Sequence, residues 1–136
     1  LLGFTSATEK KDLLRAIMEG TGYALRTILD EFPIEIVLHS AIHGTGGGYR
    51  SRIWSQIKAD ILQMPIQVIQ QQYDAAVLGV ACIAMEAAGT PREQQYISVP
   101  ETIYVPDPST VPVYQKQYHR FRRLYAATRD LFHCEE

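Results

Sequence analysis

Thr45-Gly46-Gly47-Gly48-Tyr49-Arg50-Ser51 sets three consecutive glycines between a β-prone run, Ile34 to His43, and an amphipathic stretch, Ser51 to Leu62. This order of residue types suits the binding of an anion or a nucleotide ribose. Glycine allows positive φ and lets a ligand touch the main chain, while the first turn of the following helix presents unpaired N–H groups and a partial positive charge. A strand-to-helix turn also uses glycine for its own geometry, so the spacing alone leaves both readings open. Other chemistry finds less support. His39 and His43 share a strand face, but four residues of strand separate them by about 13 Å, too far to chelate one metal without a bend. His119 and His133 have no arguable partner. The chain holds no Ser-His-Asp, Cys-His or Gly-x-x-x-x-Gly-Lys-Ser/Thr arrangement, which removes the hydrolase-triad and Walker-loop readings.

The elements that must position this loop follow from periodicity. Ser6-Ala7-Thr8-Glu9 has the form of a capping box, and Leu14, Ile17, Met18, Thr21, Leu25, Ile28 and Leu29 recur at helical spacing from about Lys10 to Glu31. Pro33 stops that helix, and Ile34 to His43 is a strand aimed at the glycines. In the next helix Ile53, Trp54, Ile57 and Ile61 share one face, with Arg52, Ser55 and Lys58 turned elsewhere. Pro65 to Ile69 reads as a second strand, its proline at the first position. A third helix runs from Asp74 to about Ala88, stopped by Gly89, and is apolar nearly all round; Gly79 thins it for close packing on the sheet. Thr90 to Pro112 carries five prolines and reads as an extended surface segment. Tyr114, Tyr118, Phe121, Tyr125, Thr128 and Phe132 mark one face of a last helix. Its other face carries Lys116, Arg120, Arg122, Arg123 and Arg129, which read as solvated rather than as a phosphate patch. The α-β-α-β-α order predicts a layered α/β fold with right-handed crossovers.

At 136 residues the chain suffices for one domain with a core and is short for two. A net charge of −2 supplies no field that attracts nucleic acid or an anionic membrane, so a bound phosphate must be held by local geometry. No apolar run reaches the ~20 residues that span a bilayer, and no signal peptide opens the chain, which makes the cytoplasm the expected compartment. Cys82 and Cys134 are too few for a disulfide framework and lack metal-ligand spacing; Cys82 reads as a small core residue and Cys134 as a tail thiol.

The segment Gly46 to Asp60 resembles the adenosine-binding motif of the FGGY carbohydrate kinases, which runs Gly-Gly-Gly-x-x-Ser/Asn, then two residues, Trp or an apolar residue, x, Gln, two residues and Ala-Asp. Two further blocks agree in order and distance. Gly3-Phe4 through Asp12-Leu13-Leu14-Arg15-Ala16-Ile17-Met18-Glu19-Gly20 resembles the family's second signature, and Asp74-Ala75-Ala76-Val77-Leu78-Gly79-Val80-Ala81 resembles the helix after its nucleotide loop. The tail, from Val105-Pro106-Asp107-Pro108 through Tyr114, Tyr118 and Phe121 to Tyr125, is similar to those of the family's xylulokinase-like branch.

The resemblance implies an actin-like, ribonuclease-H-like ATPase fold with helices layered on a small sheet. It makes residues 1–136 the C-terminal, nucleotide-side portion of the second kinase domain, with the phosphate hairpins, the sugar site and the aspartate general base upstream. It implies phosphorylation of a sugar by ATP with Mg2+, D-xylulose first, with ribulose, gluconate, fuculose and glycerol kinases as relatives of the same plan and a non-catalytic actin-like association module as the rival of another class. The partners it implies are the sugar and ATP, with no nucleic acid and no membrane; a homodimer stays open. The cofactor-binding residues it assigns are Gly46, Gly47, Gly48 and Ser51. Gly47 and Ser51 approach the nucleotide, Gly46 sets the turn, Gly48 keeps the loop thin, and Ser51 can also cap the helix. No catalytic residue and no metal ligand is assigned within the chain. Tyr49 departs from the small residue common at its place and either stacks on the base or faces solvent. Asp60 is tempting as an acid or base, but about nine residues of helix place it well over 10 Å from the loop, so it reads as structural. Trp54 and Gln56 read as packing and polar anchoring, and Glu19 as a partner of nearby backbone groups.

Overall fold

The computed structural model describes Gly3 and residues 5–33, 42–69, 75–89 and 102–132. Helix α1 spans Lys10–Leu29, strand β1 Ile42–Gly44, helix α2 Arg52–Leu62, strand β2 Ile66–Val68, helix α3 Ala75–Ala87, strand β3 Thr102–Tyr104 and helix α4 Val111–Thr128. The expected strand from Ile34 is therefore described only over its end. His39, Asp74, His133 and Cys134 lie outside the described residues.

The capping of α1 sits three residues later than Ser6 predicts. Thr5 to Thr8 close a turn of their own, with the Thr8 N–H on the Thr5 carbonyl at 3.1 Å. Glu9 becomes the N-cap, and its N–H donates to Asp12 Oδ2 at 2.9 Å.

Parallel pairing sets Ile42 beside Ile66 and Gly44 beside Val68, and α2 is the crossover between the two strands. β3 adds antiparallel to the other side of β2, with Tyr104 opposite Ile66. This third strand falls inside the segment expected to be extended surface. Its three residues are too few to show alternation above the surrounding prolines. Pro112 belongs instead to the first turn of α4, where a missing N–H breaks no helical bond.

α2 is the hub. One side packs Ile57 and Ile61 with Tyr23, Tyr114 and Tyr118 of the flanking helices; the other gives Ala59 and Leu62 to a cluster with Ile66 and Val68 of the sheet. Ile61 and Ile66 are fully buried, each contributing about 1.5–3 kcal/mol of transfer free energy. Being covered from two sides, α2 buries Ser55 and Lys58 as well, which a one-faced amphipathic reading turns outward, while Ile53 at its open end is 69% exposed.

α3 departs from expectation. Val77, Val80 and Ile83 are 63, 67 and 68% exposed, a β-carbon added at Gly79 would meet no heavy atom within 4 Å, and Cys82 is only half-buried. The helix is not seated on the sheet. Among the described residues, three strands of three residues offer little area beyond what α2 covers, and a helix apolar all round has no single face to direct. Among the described residues no helix is long and apolar enough to cross a membrane.

Candidate functional site: the glycine loop and its lysine

Gly46 adopts φ 87° and ψ −178°, a region essentially reserved for glycine. That conformation turns the chain out of β1 into a short 3₁₀ turn, Gly47–Tyr49, closed by the Tyr49 N–H on the Gly46 carbonyl at 3.1 Å. Ser51 is the N-cap of α2, and its Oγ accepts the Trp54 N–H at 3.3 Å. Ser55, fully buried, donates from its hydroxyl to the Tyr49 carbonyl at 3.2 Å. On the strand side the Ile69 N–H reaches the Gly44 carbonyl at 3.0 Å. The loop is thus fastened at both ends.

Its outer side is open. A β-carbon built on Gly46 or Gly47 would meet no heavy atom within 4 Å. Gly48 differs, because a β-carbon there would stand 3.5 Å from Lys58 Nζ and 3.5 Å from Cζ3 of Trp54. Tyr49 does not stand free in solvent. Its half-buried ring lies against Gly44, whose absent side chain makes the room, and covers Lys58, with Nζ 3.8 Å from the ring centroid. Trp54 supplies the second ring, 4.5 Å from the same nitrogen. Lys58 is 5% exposed, and burial pulls its pKa below the usual lysine value. Burial likewise raises that of Tyr49.

Of the other residues singled out by sequence, Asp60 is buried and structural. It accepts from Gln56 Nε2 at 2.8 Å and from the Asp107 N–H at 2.9 Å, while Gln56 also donates to the Val105 carbonyl. Trp54 Nε1 donates to Thr21 Oγ1 at 3.2 Å, joining α2 to α1. Glu19 pairs with Arg15 at 2.7 Å, one turn back, rather than with backbone. His43 is exposed, and the arginines of α4 stand in solvent. No group of three His, Cys, Asp or Glu among the described residues is placed to hold a metal ion. An open cavity of about 620 Å³ lies apart from the loop, between α1 and α4, bordered by Glu19, Tyr23, Arg120 and Phe121. The residue that sequence reasoning missed is Lys58; its signal was a charge in a helix that both the sheet and two helices must cover.

Residues 1–88 match the model of the FGGY family of carbohydrate kinases, C-terminal domain. The chain belongs to this family. A probable L-xylulose kinase of Haemophilus influenzae is 30% identical over 129 residues, covering 95% of this chain and 26% of that protein. A ribulokinase of Geobacillus thermodenitrificans is 27% identical over 135 residues, covering 92% and 24%. The crystal structure of a xylulose kinase from Rhodospirillum rubrum superposes with a TM-score of 0.73 at 26% identity, over 96% of this chain and 27% of that one. The FGGY fold expected from the motifs, actin-like helices on a small sheet, is the fold observed. The chain spans about a quarter of the length of the curated relatives it matches.

Proposed function

We propose that this chain is the nucleotide side of the second domain of an ATP-dependent sugar kinase. Gly46, Gly47, Gly48 and Ser51 hold the adenosine part of the nucleotide. The observation that carries this reading is the asymmetry of the loop, bonded down on its inner side and free of heavy atoms on the outer side at Gly46 and Gly47. Such a surface admits a ligand to the main chain without rearrangement, and Ser51 stands at the helix N-terminus beside it. The chain's own residues bind and orient; ATP with Mg2+ supplies the phosphoryl group, and the general base and phosphate loops come from sequence beyond this chain. Positioning and electrostatics carry most of the rate in such a transfer. D-xylulose is the first candidate sugar and the cytoplasm the working compartment. The xylulose kinase and ribulokinase relatives support a ketopentose.

Gly47→Asp in the full-length enzyme tests the reading. Gly47 has an ordinary φ and open space around it, so the fold tolerates the change while a carboxylate meets the nucleotide by bulk and charge. The KM for ATP is expected to rise with the KM for sugar unchanged. Unchanged ATP kinetics would remove the loop from the nucleotide site. A panel of D-xylulose, D-ribulose, L-fuculose, D-gluconate and glycerol, compared by kcat/KM, tests the sugar; a tenfold preference for another, about 1.4 kcal/mol, overturns D-xylulose alone.

A further inference from the structure

α2 buries three polar side chains, Ser55, Lys58 and Asp60. Ser55 and Asp60 have hydrogen-bond partners. Lys58 has neither a hydrogen-bond acceptor nor a carboxylate among the described residues; only the rings of Tyr49 and Trp54 face it. A lysine ammonium carries three N–H donors, and ring faces satisfy charge but accept no strong hydrogen bond.

Its position adds to the preference for an anion. Nζ lies beside Trp54, one turn back along α2, and beside the vacant side-chain position of Gly48, which precedes the helix. That is the N-terminal end of α2, where the aligned peptide dipoles already present positive charge and disfavour a cation. The fold therefore gathers an unpaired ammonium, a helix N-terminus and a glycine that leaves a gap 3.5 Å from that ammonium. Each of these favours an anion at the same place, and the chain's net charge of −2 gives no other means of drawing one there.

Building on the reading of the loop as a nucleotide site, we propose that Lys58 is a nucleotide-binding residue whose ammonium donates to a phosphate oxygen of the nucleotide at the Gly48 side of the loop. Tyr49 and Trp54 hold the cation ready while the loop is empty. Adenosine, which lacks the phosphate, makes no use of it.

The test is calorimetric titration of the full-length protein with ADP and with adenosine, in low and high KCl. Lys58→Met keeps the unbranched stem between the rings and removes the charge; Lys58→Arg keeps the charge. Lys58→Met is expected to weaken ADP at least tenfold, to leave adenosine within twofold and to flatten the salt dependence of ADP binding, with Lys58→Arg close to wild type. Equal losses for ADP and adenosine, or no loss for either, would overturn the assignment and leave Lys58 a packing residue. Should Lys58→Met not fold, the wild-type protein decides: ADP affinity that falls no more steeply with KCl than adenosine affinity also overturns it. A Gly47→Asp variant that binds both ligands like wild type sinks the loop reading itself, a result separable from a failure confined to Lys58.

Discussion

Asp60 accepts a 2.9 Å hydrogen bond from the backbone N–H of Asp107, and so fastens the segment between β3 and α4 to the buried side of α2. The same carboxylate oxygen takes Gln56 Nε2, whose amide also reaches the Val105 carbonyl. Asp60→Ala leaves two donors short of an acceptor at a buried position, an expected loss of about 1–3 kcal/mol. Asp60→Asn retains one acceptor oxygen and should recover part of it. Urea midpoints at constant m-value measure both; an Ala variant as stable as wild type would show that solvent replaces the carboxylate there.

Gly22 and Gly20 lie on the same helix and should respond oppositely to alanine. A β-carbon at Gly22 would stand 2.8 Å from Ile61 Cδ1 at the crossing of α1 and α2, whereas one at Gly20 meets nothing within 4 Å. Gly22→Ala must displace the fully buried Ile61, an overpacking cost of about 1–3 kcal/mol. Gly20→Ala gains helix propensity of up to about 1 kcal/mol. Thermal melts of the two variants give the comparison, and the same sign for both would contradict the packing.

Gly46→Ala should separate loop shape from loop openness. Alanine fits the space but not the φ of 87°, at a cost of order 1–3 kcal/mol or a reshaped turn. Gly47→Ala carries neither penalty. We expect Gly46→Ala alone to lower the melting temperature, and to raise the KM for ATP with it.

Ser51→Ala removes the oxygen that accepts the Trp54 N–H, costing about 1 kcal/mol as an N-cap; Ser51→Gly should cost only a few tenths. The measure that matters is the split. Loss of stability with unchanged ATP kinetics makes Ser51 a cap only, whereas a raised KM for ATP in both variants gives it a nucleotide contact too.

How far the molecule was legible in its sequence follows from how each residue is constrained. Gly46 and Ser51 are fixed by local backbone needs, positive φ and an unpaired N–H, and such needs are written in residue type. Asp60 could be set aside as structural because a helix's rise puts it beyond the loop. Lys58 and Ser55 could not be placed, since their burial depends on a sheet and two helices that meet α2 from opposite sides, and one helix's periodicity records only its stronger face. Val77, Val80 and Ile83 fail for the converse reason: an apolar residue has somewhere to go only if other elements supply the area. β3 is three residues long, so its identity lies in pairing to β2 rather than in Thr102, Ile103 and Tyr104 themselves.

Tyr23 offers the last test, because its ring is well placed and its hydroxyl is not. The ring stacks on Tyr118 at 6.2 Å and meets Tyr114 edge-on at 6.5 Å. Its hydroxyl is sealed from solvent and has no hydrogen-bond partner among the described residues. Tyr23→Phe keeps the rings in contact and removes the unpaired group, so stability at pH 7 should rise by about 1 kcal/mol. Alkaline pH supplies an independent check. Burial, reinforced by the nearby Glu19 charge, raises the Tyr23 pKa far above its usual 10.0, so the folded state keeps a proton that the unfolded chain gives up. Stability is then unaffected by this group below about pH 10 and falls as pH rises from there toward the raised folded value. Tyr49, Tyr114 and Tyr118 shift in the same direction, while the lowered Lys58 pKa has the opposite sign, its penalty fading as pH climbs toward 10.5. The Phe variant should therefore lose stability less steeply than wild type between pH 9.5 and 11, without becoming flat. Denaturant midpoints across that range decide it; parallel curves would mean that the Tyr23 hydroxyl ionises as freely in the fold as outside it.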